Sequence, residues 1–307
     1  MQLQPKQVNT NKQRLECVIC HYHLDANDKS AFFTFPCNVR AFIGEKFKVW
    51  RCPHCKTIHC LDTVDLDHYY AKYPLSQAKL TQGYRSLCSN VYRQLTKHGF
   101  SKTHSLLDYG CGGNGLFVQY FRERGFTNSY GYDPYASEDS FGNPAVLEHG
   151  QFDYILLHEV IEHVEDPNAL LSQLNSLLSS KGYILITTPN AANIDLNRPD
   201  LPDHYNPVHV PYHLHIYTHE ILEFLGTSQR WELVDFYERR YGDTRRFGFN
   251  VRAWNAYVSL FDGSLDVLVE PLQIVKALTS YKFLFYAIFG YWVSLHCGMA
   301  IMFRKGV

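Results

Sequence analysis

The chain has 307 residues, enough for one large domain or two unequal ones. Its 29 basic and 30 acidic residues leave a formal net charge of −1, which argues against bulk electrostatic attraction to nucleic acid. Nine cysteines, an odd number with several in C-x-x-C pairs, argue against a disulfide framework and for metal binding in a reducing, cytoplasmic compartment.

Residues 1–14 are polar and aperiodic and read as a disordered tail, with no signal-peptide core in the first residues. Residues 15–66 form a small module. Cys17 and Cys20 make one knuckle, and Cys52 and Cys55 a second, with 31 residues between them. Each knuckle can present two thiolates on one side of a tight turn, and two knuckles make a tetrahedral Cys₄ site suited to structural zinc. Four coordinated sulfurs leave no open position, so the site serves folding or docking rather than catalysis. Cys37, Cys60, His21, His54 and His59 are spare donors. Residues 67–100 read as a helical linker or lid with tyrosines at 69, 70, 73, 84 and 92.

From residue 101 to about 248 the pattern becomes α/β. Strands are predicted over 104–108, 129–132, 153–158, 183–188 and 231–237, with helices between them and one over 217–227. Alternation of this kind implies a doubly wound parallel sheet. The first strand runs into Asp108-Tyr109-Gly110-Cys111-Gly112-Gly113-Asn114-Gly115. Glycines there let the backbone approach a ligand closely, and Asp133, about 20 residues on, is placed for a ribose. Gly110, Gly112 and Gly115 also satisfy the dinucleotide fingerprint, so an NAD(P)-dependent oxidoreductase is the competing cofactor reading.

The strand at 153–158 leads into His158-Glu159-Val160-Ile161-Glu162-His163. If this segment turns helical, Glu159 and Glu162 share a face with His163 beside them, a place for proton transfer or a divalent metal. Residues 189–216 are expected to form an ordered loop over the sheet edge. Histidines 204, 209, 213, 215 and 219 crowd this part of the chain, which favours a substrate-facing loop. Arginines 239, 240, 245, 246 and 252 read as a solvated face, with a grip on phosphate or carboxylate as the alternative.

Residues 249–307 are a helical segment and closing strand. The apolar run 283–303 is long enough to span a membrane, but Gly290, Ser294, His296 and Gly298 interrupt it. It reads as a buried helix followed by a strand at 299–303, with peripheral membrane contact or a homodimer face as further uses of the apolar surplus.

The string Asp108-x-Gly110-Cys111-Gly112 resembles motif I of the class I S-adenosylmethionine (SAM) methyltransferases. The resemblance covers about residues 80–240 and implies a Rossmann-like sheet closed by a final strand. It implies that Asp108 holds the SAM ammonium group, that Gly110 and Gly112 border its methionine part, that Asp133 binds the ribose and that His158 lies near the adenosine or methyl. The N-terminal module resembles the zinc ribbons of natural-product and sugar methyltransferases. The E-x-x-E-H string resembles ubiquinone-pathway O-methyltransferases and small-RNA 2′-O-methyltransferases, which makes Glu159, Glu162, His163 and His213 the catalytic candidates, with or without a divalent metal. The implied activity is methyl transfer to a small molecule, first a hydroxyl of a sugar or secondary metabolite, with carbon and nitrogen acceptors or an inactive scaffold left open. One departure stands out: only eighteen residues separate Asp133 from Phe152, too few for the family's helix, third strand and adenine-side acidic turn. Glu148 is the nearest substitute.

Overall fold

A computed structural model describes residues 13–198, 207–239, 242–294 and 296–306. In chain order the strands and helices are β1 (Phe32–Pro36), β2 (Lys46–Arg51), β3 (Ile58–Cys60), α1 (Leu66–Tyr70), α2 (Gln82–Lys97), β4 (Leu106–Tyr109), α3 (Leu116–Arg122), β5 (Ser129–Tyr132), β6 (Phe152–His158), α4 (Pro167–Leu177), β7 (Leu178–Pro189), β8 (His215–Ile216), α5 (His219–Ser228), β9 (Trp231–Tyr237), α6 (Val251–Val258), α7 (Ile274–Leu278), α8 (Tyr281–Phe289) and β10 (Gly298–Lys305).

Six strands build the main sheet in the order β5-β4-β6-β7-β10-β9. The first four are parallel, and β10 runs antiparallel between β7 and β9. Strand alternation sorts the core into two layers. Leu107, Ile155, Leu157, Ile186 and Ile301 face α4 and α5. Leu106, Tyr154, Leu156, Leu185 and Met302 face α2 and α3. Both faces are covered, which is why β6 is apolar at nearly every position. The helices start where capping residues stand: Asp166 before Pro167 in α4, Thr218 in α5 and Asn250 in α6 each accept a backbone N–H.

The segment after Asp133 contains no third strand among the described residues. It coils through 138–148 in two short helical turns, and β5 is left as the sheet edge. The lid is interrupted: α1 and α2 are separated by a single turn at Pro74–Gln77. The expected disordered tail falls mostly outside the described residues, but Gln13 already bridges to Asp62.

A second, four-stranded antiparallel sheet has the order β1-β2-β3-β8. Its last strand comes from the long loop after β7, with Ile58 opposite Ile216 and His59 opposite His215. Phe47, Val49 and Ile58 of the cysteine module therefore share one core with Ile194, Val210 and Tyr212 of that loop.

The closing strand at 299–303 is present and fully buried within β10. The helix before it is not the buried helix expected. Of the residues of α8, only Ala287 is buried. No helix among the described residues is long and apolar enough to cross a membrane.

Candidate active site

Strand β4 delivers the glycine turn to the C-terminal edge of the parallel strands. Gly110, Gly112 and Gly115 all have positive φ, a region that costs other residues about 1–2 kcal/mol. A Cβ on Gly110 would run into Val160 and one on Gly115 into Phe141, whereas a Cβ on Gly112 would meet nothing within 4 Å. Gly112 thus borders open space. Asp133 braces the turn: its carboxylate accepts the Gly112 N–H at 2.9 Å and the Tyr135 N–H at 2.8 Å.

Asp108 lies beneath the turn, 1% exposed. Its Oδ2 has no hydrogen-bond partner among the described residues. Burial, helped by the nearby charge of Asp133, pushes its carboxyl pKa up to about 8. His158, at the end of β6, has its Nδ1 2.7 Å from the Thr187 hydroxyl and its ring edge-on to Phe117.

The acid–histidine segment is not a helix that puts both glutamates on one face. Glu159 has φ 53°, and only a single helical turn, Ile161–His163, follows. Glu162 turns into the interior with no exposure. It meets His163 and His213, their ligand atoms within 4.8 Å of one another, and Glu159 is outside that group. His163 Nδ1 lies 3.0 Å from the Tyr212 carbonyl and 2.9 Å from the Tyr70 hydroxyl. His213 Nδ1 lies 2.8 Å from the Pro207 carbonyl. A carbonyl only accepts, so each Nδ1 carries a proton, and on a neutral His163 ring Nε2 keeps its lone pair. His213 Nε2 is 3.9 Å from Glu162 Oε1. Burial pushes the His163 pKa down to about 4, so its ring is neutral at physiological pH.

The dense histidines do not form one substrate-facing loop. His209 bonds to Asn38 at 2.6 Å, His215 pairs with His59 through the two Nδ1 atoms at 2.9 Å, and His219 stacks on Phe236. Position 204 lies outside the described residues, as does Arg240. Glu148 is exposed.

Two contributors were not among the catalytic candidates. Tyr212 supplies the carbonyl that orients His163 and stacks on His209. Tyr70 belongs to the tyrosine-rich lid; it bonds His163 and stacks on Tyr135. The lid is fixed to the glycine turn through Asn114, whose amide donates to the Ser76 and Ala78 carbonyls at 2.7 and 2.8 Å.

A family model described as a methyltransferase domain matches residues 79–228, the stretch that carries the glycine turn, Asp133 and the acid–histidine cluster. The chain carries a methyltransferase domain over these residues. The match is to a methyltransferase and not to an oxidoreductase.

Among solved structures, this methyltransferase is similar to a SAM-dependent methyltransferase from Archaeoglobus fulgidus, at 17% identity and TM-score 0.42, over 78% of this chain and 100% of that one. It is also similar to magnesium protoporphyrin IX methyltransferase from Synechocystis with bound SAM, at 15% identity and TM-score 0.34, over 50% and 72%. A third is a methyltransferase from Haloferax volcanii complexed with the Trm112 activator, at 10% identity and TM-score 0.44, over 71% and 89%. No curated protein compared with the methyltransferase matches it.

The four knuckle cysteines converge as a separate group. Cys17 Sγ is 3.4 Å from Cys55 Sγ, and Cys20 Sγ is 3.5 Å from Cys52 Sγ. All four lie within 4.8 Å of one another. The residue after each knuckle, His21 or Lys56, adopts a positive φ and donates its N–H to the first cysteine's carbonyl at 3.0 Å. The spare donors stand apart: Cys37 and Cys60 belong to the neighbouring core, and His54 packs on Tyr22.

Proposed function

We propose that this methyltransferase moves the methyl group of SAM to a hydroxyl oxygen of a small molecule, a sugar or another secondary metabolite. The observation that carries the reading is the convergence of Glu162, His163 and His213, with both imidazoles oriented through Nδ1 by backbone carbonyls.

The cofactor side fits SAM. The buried Asp108 oxygen without a partner suits the ammonium group of an amino-acid end, and the open space at Gly112 admits the ligand's backbone. Gly110 and Gly112 border the methionine part, Asp133 takes the ribose, and His158 stands near the adenosine or methyl. SAM supplies a methyl already activated on a sulfonium, so the chain has to align the acceptor and remove its proton.

For the acceptor side, Glu162, His163 and His213 hold the hydroxyl and take its proton, with Glu159 at the strand end contacting the rest of the acceptor. Two imidazole nitrogens and a carboxylate also fit a divalent ion of the zinc type. Such an ion, when bound, lowers the pKa of an attached hydroxyl. The four knuckle sulfurs fit a structural zinc. A tetrahedral site with Zn–S near 2.3 Å spaces sulfurs at about 3.8 Å, close to the separations here.

Calorimetric titration with S-adenosylhomocysteine, with NADH in parallel, tests the cofactor assignment; binding of NADH alone would defeat it. Acceptor screening with and without a chelator then tests the rest. Label transfer from methyl-labelled SAM to oxygen supports the proposal, and transfer to carbon or nitrogen replaces it with that chemistry.

A further inference from the structure

The exposed large apolar side chains concentrate on α7 and α8. Tyr281, Phe285, Ile288, Phe289 and Trp292 are 88%, 51%, 50%, 48% and 60% exposed. Their spacing puts them on one face of α8 and its extension. The opposite face packs on α6 through the buried Ala287. Val275 of α7, 80% exposed, continues the patch. Contiguous apolar surface of this kind marks an interaction site.

Charge says what covers it. Residues 271–294 contain Lys276 and Lys282 and no acidic residue. Alongside runs an arginine border. Arg239 lies over the Tyr291 ring at 4.3 Å with Arg245 at 5.3 Å, and Arg252 donates to the Val293 carbonyl and lies over Tyr286. A cavity of about 780 Å³ opens beside Tyr291, lined by Arg93, Lys97, Arg239, Arg245 and Arg246. Its acids are Glu238 and Asp243; Asp243 is engaged by the Ser294 hydroxyl and the Val251 N–H and lies 3.9 Å from Arg239, so five cations line the cavity against two acids. A second copy seated on this face would bring together two borders in which cations outnumber acids. An aromatic and aliphatic stripe rimmed by cations is instead the arrangement that enters the headgroup region of a bilayer. Nine residues of α8 span about 13 Å, enough to lie in that plane and too few to cross it.

We propose that the α7–α8 face docks this chain on an anionic lipid surface, with the flanking arginines on lipid phosphates. Six residues after Trp292 the chain reaches Gly298, which pairs with Pro189 at the end of β7, the sheet edge that carries the candidate active site. Docking there gives that site access to a membrane-borne acceptor.

The test is sedimentation of the full chain with vesicles of phosphatidylcholine alone and of phosphatidylcholine containing about one-third phosphatidylglycerol. Binding to the anionic vesicles at least about tenfold stronger than to the neutral ones, and released by salt, is expected. Phe285→Ser with Trp292→Ser, and separately Arg245→Glu with Arg246→Glu, should each weaken it about tenfold or more. All four positions are exposed, and unchanged S-adenosylhomocysteine binding checks that the variants fold. Equal binding to both vesicles, binding to neither, or a solution dimer that Trp292→Ser dissociates overturns the proposal; the dimer would assign the face to a second copy.

Discussion

Leu214 donates its N–H to the Glu162 carbonyl at 2.7 Å, and its own carbonyl accepts the Cys60 N–H at 2.9 Å. Two hydrogen bonds thus link β3 of the cysteine module to the backbone of the acid–histidine cluster. Leu214 also lies between His213, in that cluster, and His215, in the module's sheet.

Loss of metal from the knuckles should therefore be felt at both ends of that link. Cys52→Ser, or stripping with a chelator, is expected to lower the melting temperature by on the order of 10 °C and to lower methyl transfer with it. Calorimetry alongside metal analysis checks this. A melting curve unmoved by complete removal of zinc would show that the module folds without it.

The turn glycines should separate stability from binding. Gly110→Ala pushes a methyl into Val160 at φ 79° and is expected to destabilise the protein by about 2–4 kcal/mol. Gly112→Ala meets no protein atom, so only about 1–2 kcal/mol of backbone strain is expected. It should nonetheless weaken S-adenosylhomocysteine about tenfold, because the methyl stands where the ligand's backbone comes closest. Equal affinity in Gly112→Ala and the parent would remove this residue from the cofactor site.

Asp108 carries a pH signature. Its folded pKa, about 8, lies above the ordinary aspartate value. The native state therefore prefers the protonated form, and this contribution to stability is lost as pH rises from near 4 through 8. Asp108→Asn should make the ligand-free protein more stable at pH 8, by on the order of 1–3 kcal/mol. The same change should weaken S-adenosylhomocysteine and flatten the gain in affinity expected between pH 6 and 8. A variant that binds as well as the parent at pH 8 would rule out an ammonium partner.

At the other cluster, Glu162→Gln should cut turnover by about 10²–10⁴ while leaving S-adenosylhomocysteine affinity within about threefold. Tyr70→Phe removes only the hydroxyl beside His163 and should cost about three- to tenfold, a hydrogen bond's worth. Turnover and ligand titration on the same preparations separate the two. Full activity in Glu162→Gln would move the chemistry elsewhere on the sheet edge.

Much of the sheet was legible because its signals are local. Strands 129–132 and 231–237 fall on the predicted residues, since alternating or continuous apolar runs ended by turn residues leave little choice of boundary. The short segment after Asp133 announced the missing third strand by its length alone. The failures involve partners distant in sequence. Nothing near His215 and Ile216 shows that two residues complete a sheet begun at Phe32. The geometry of Glu159 depends on a left-handed backbone that no glycine advertises, and His21 and Lys56 hide the knuckle turns in the same way. The apolar run at 283–303 shows that α8 can be buried but not which side faces protein, because that is set by α6 and not by α8 itself.

The two-residue strand β8 bears on how such a chain can be inherited. A cysteine module whose sheet is completed by residues 215–216 cannot be exchanged as a cassette at residue 66, because the acceptor core would bring a foreign loop to its open edge. A working hybrid has to take residues 15–66 and 207–216 from the same parent. Recombination within this architecture is therefore expected to respect a boundary made of two separate stretches of sequence.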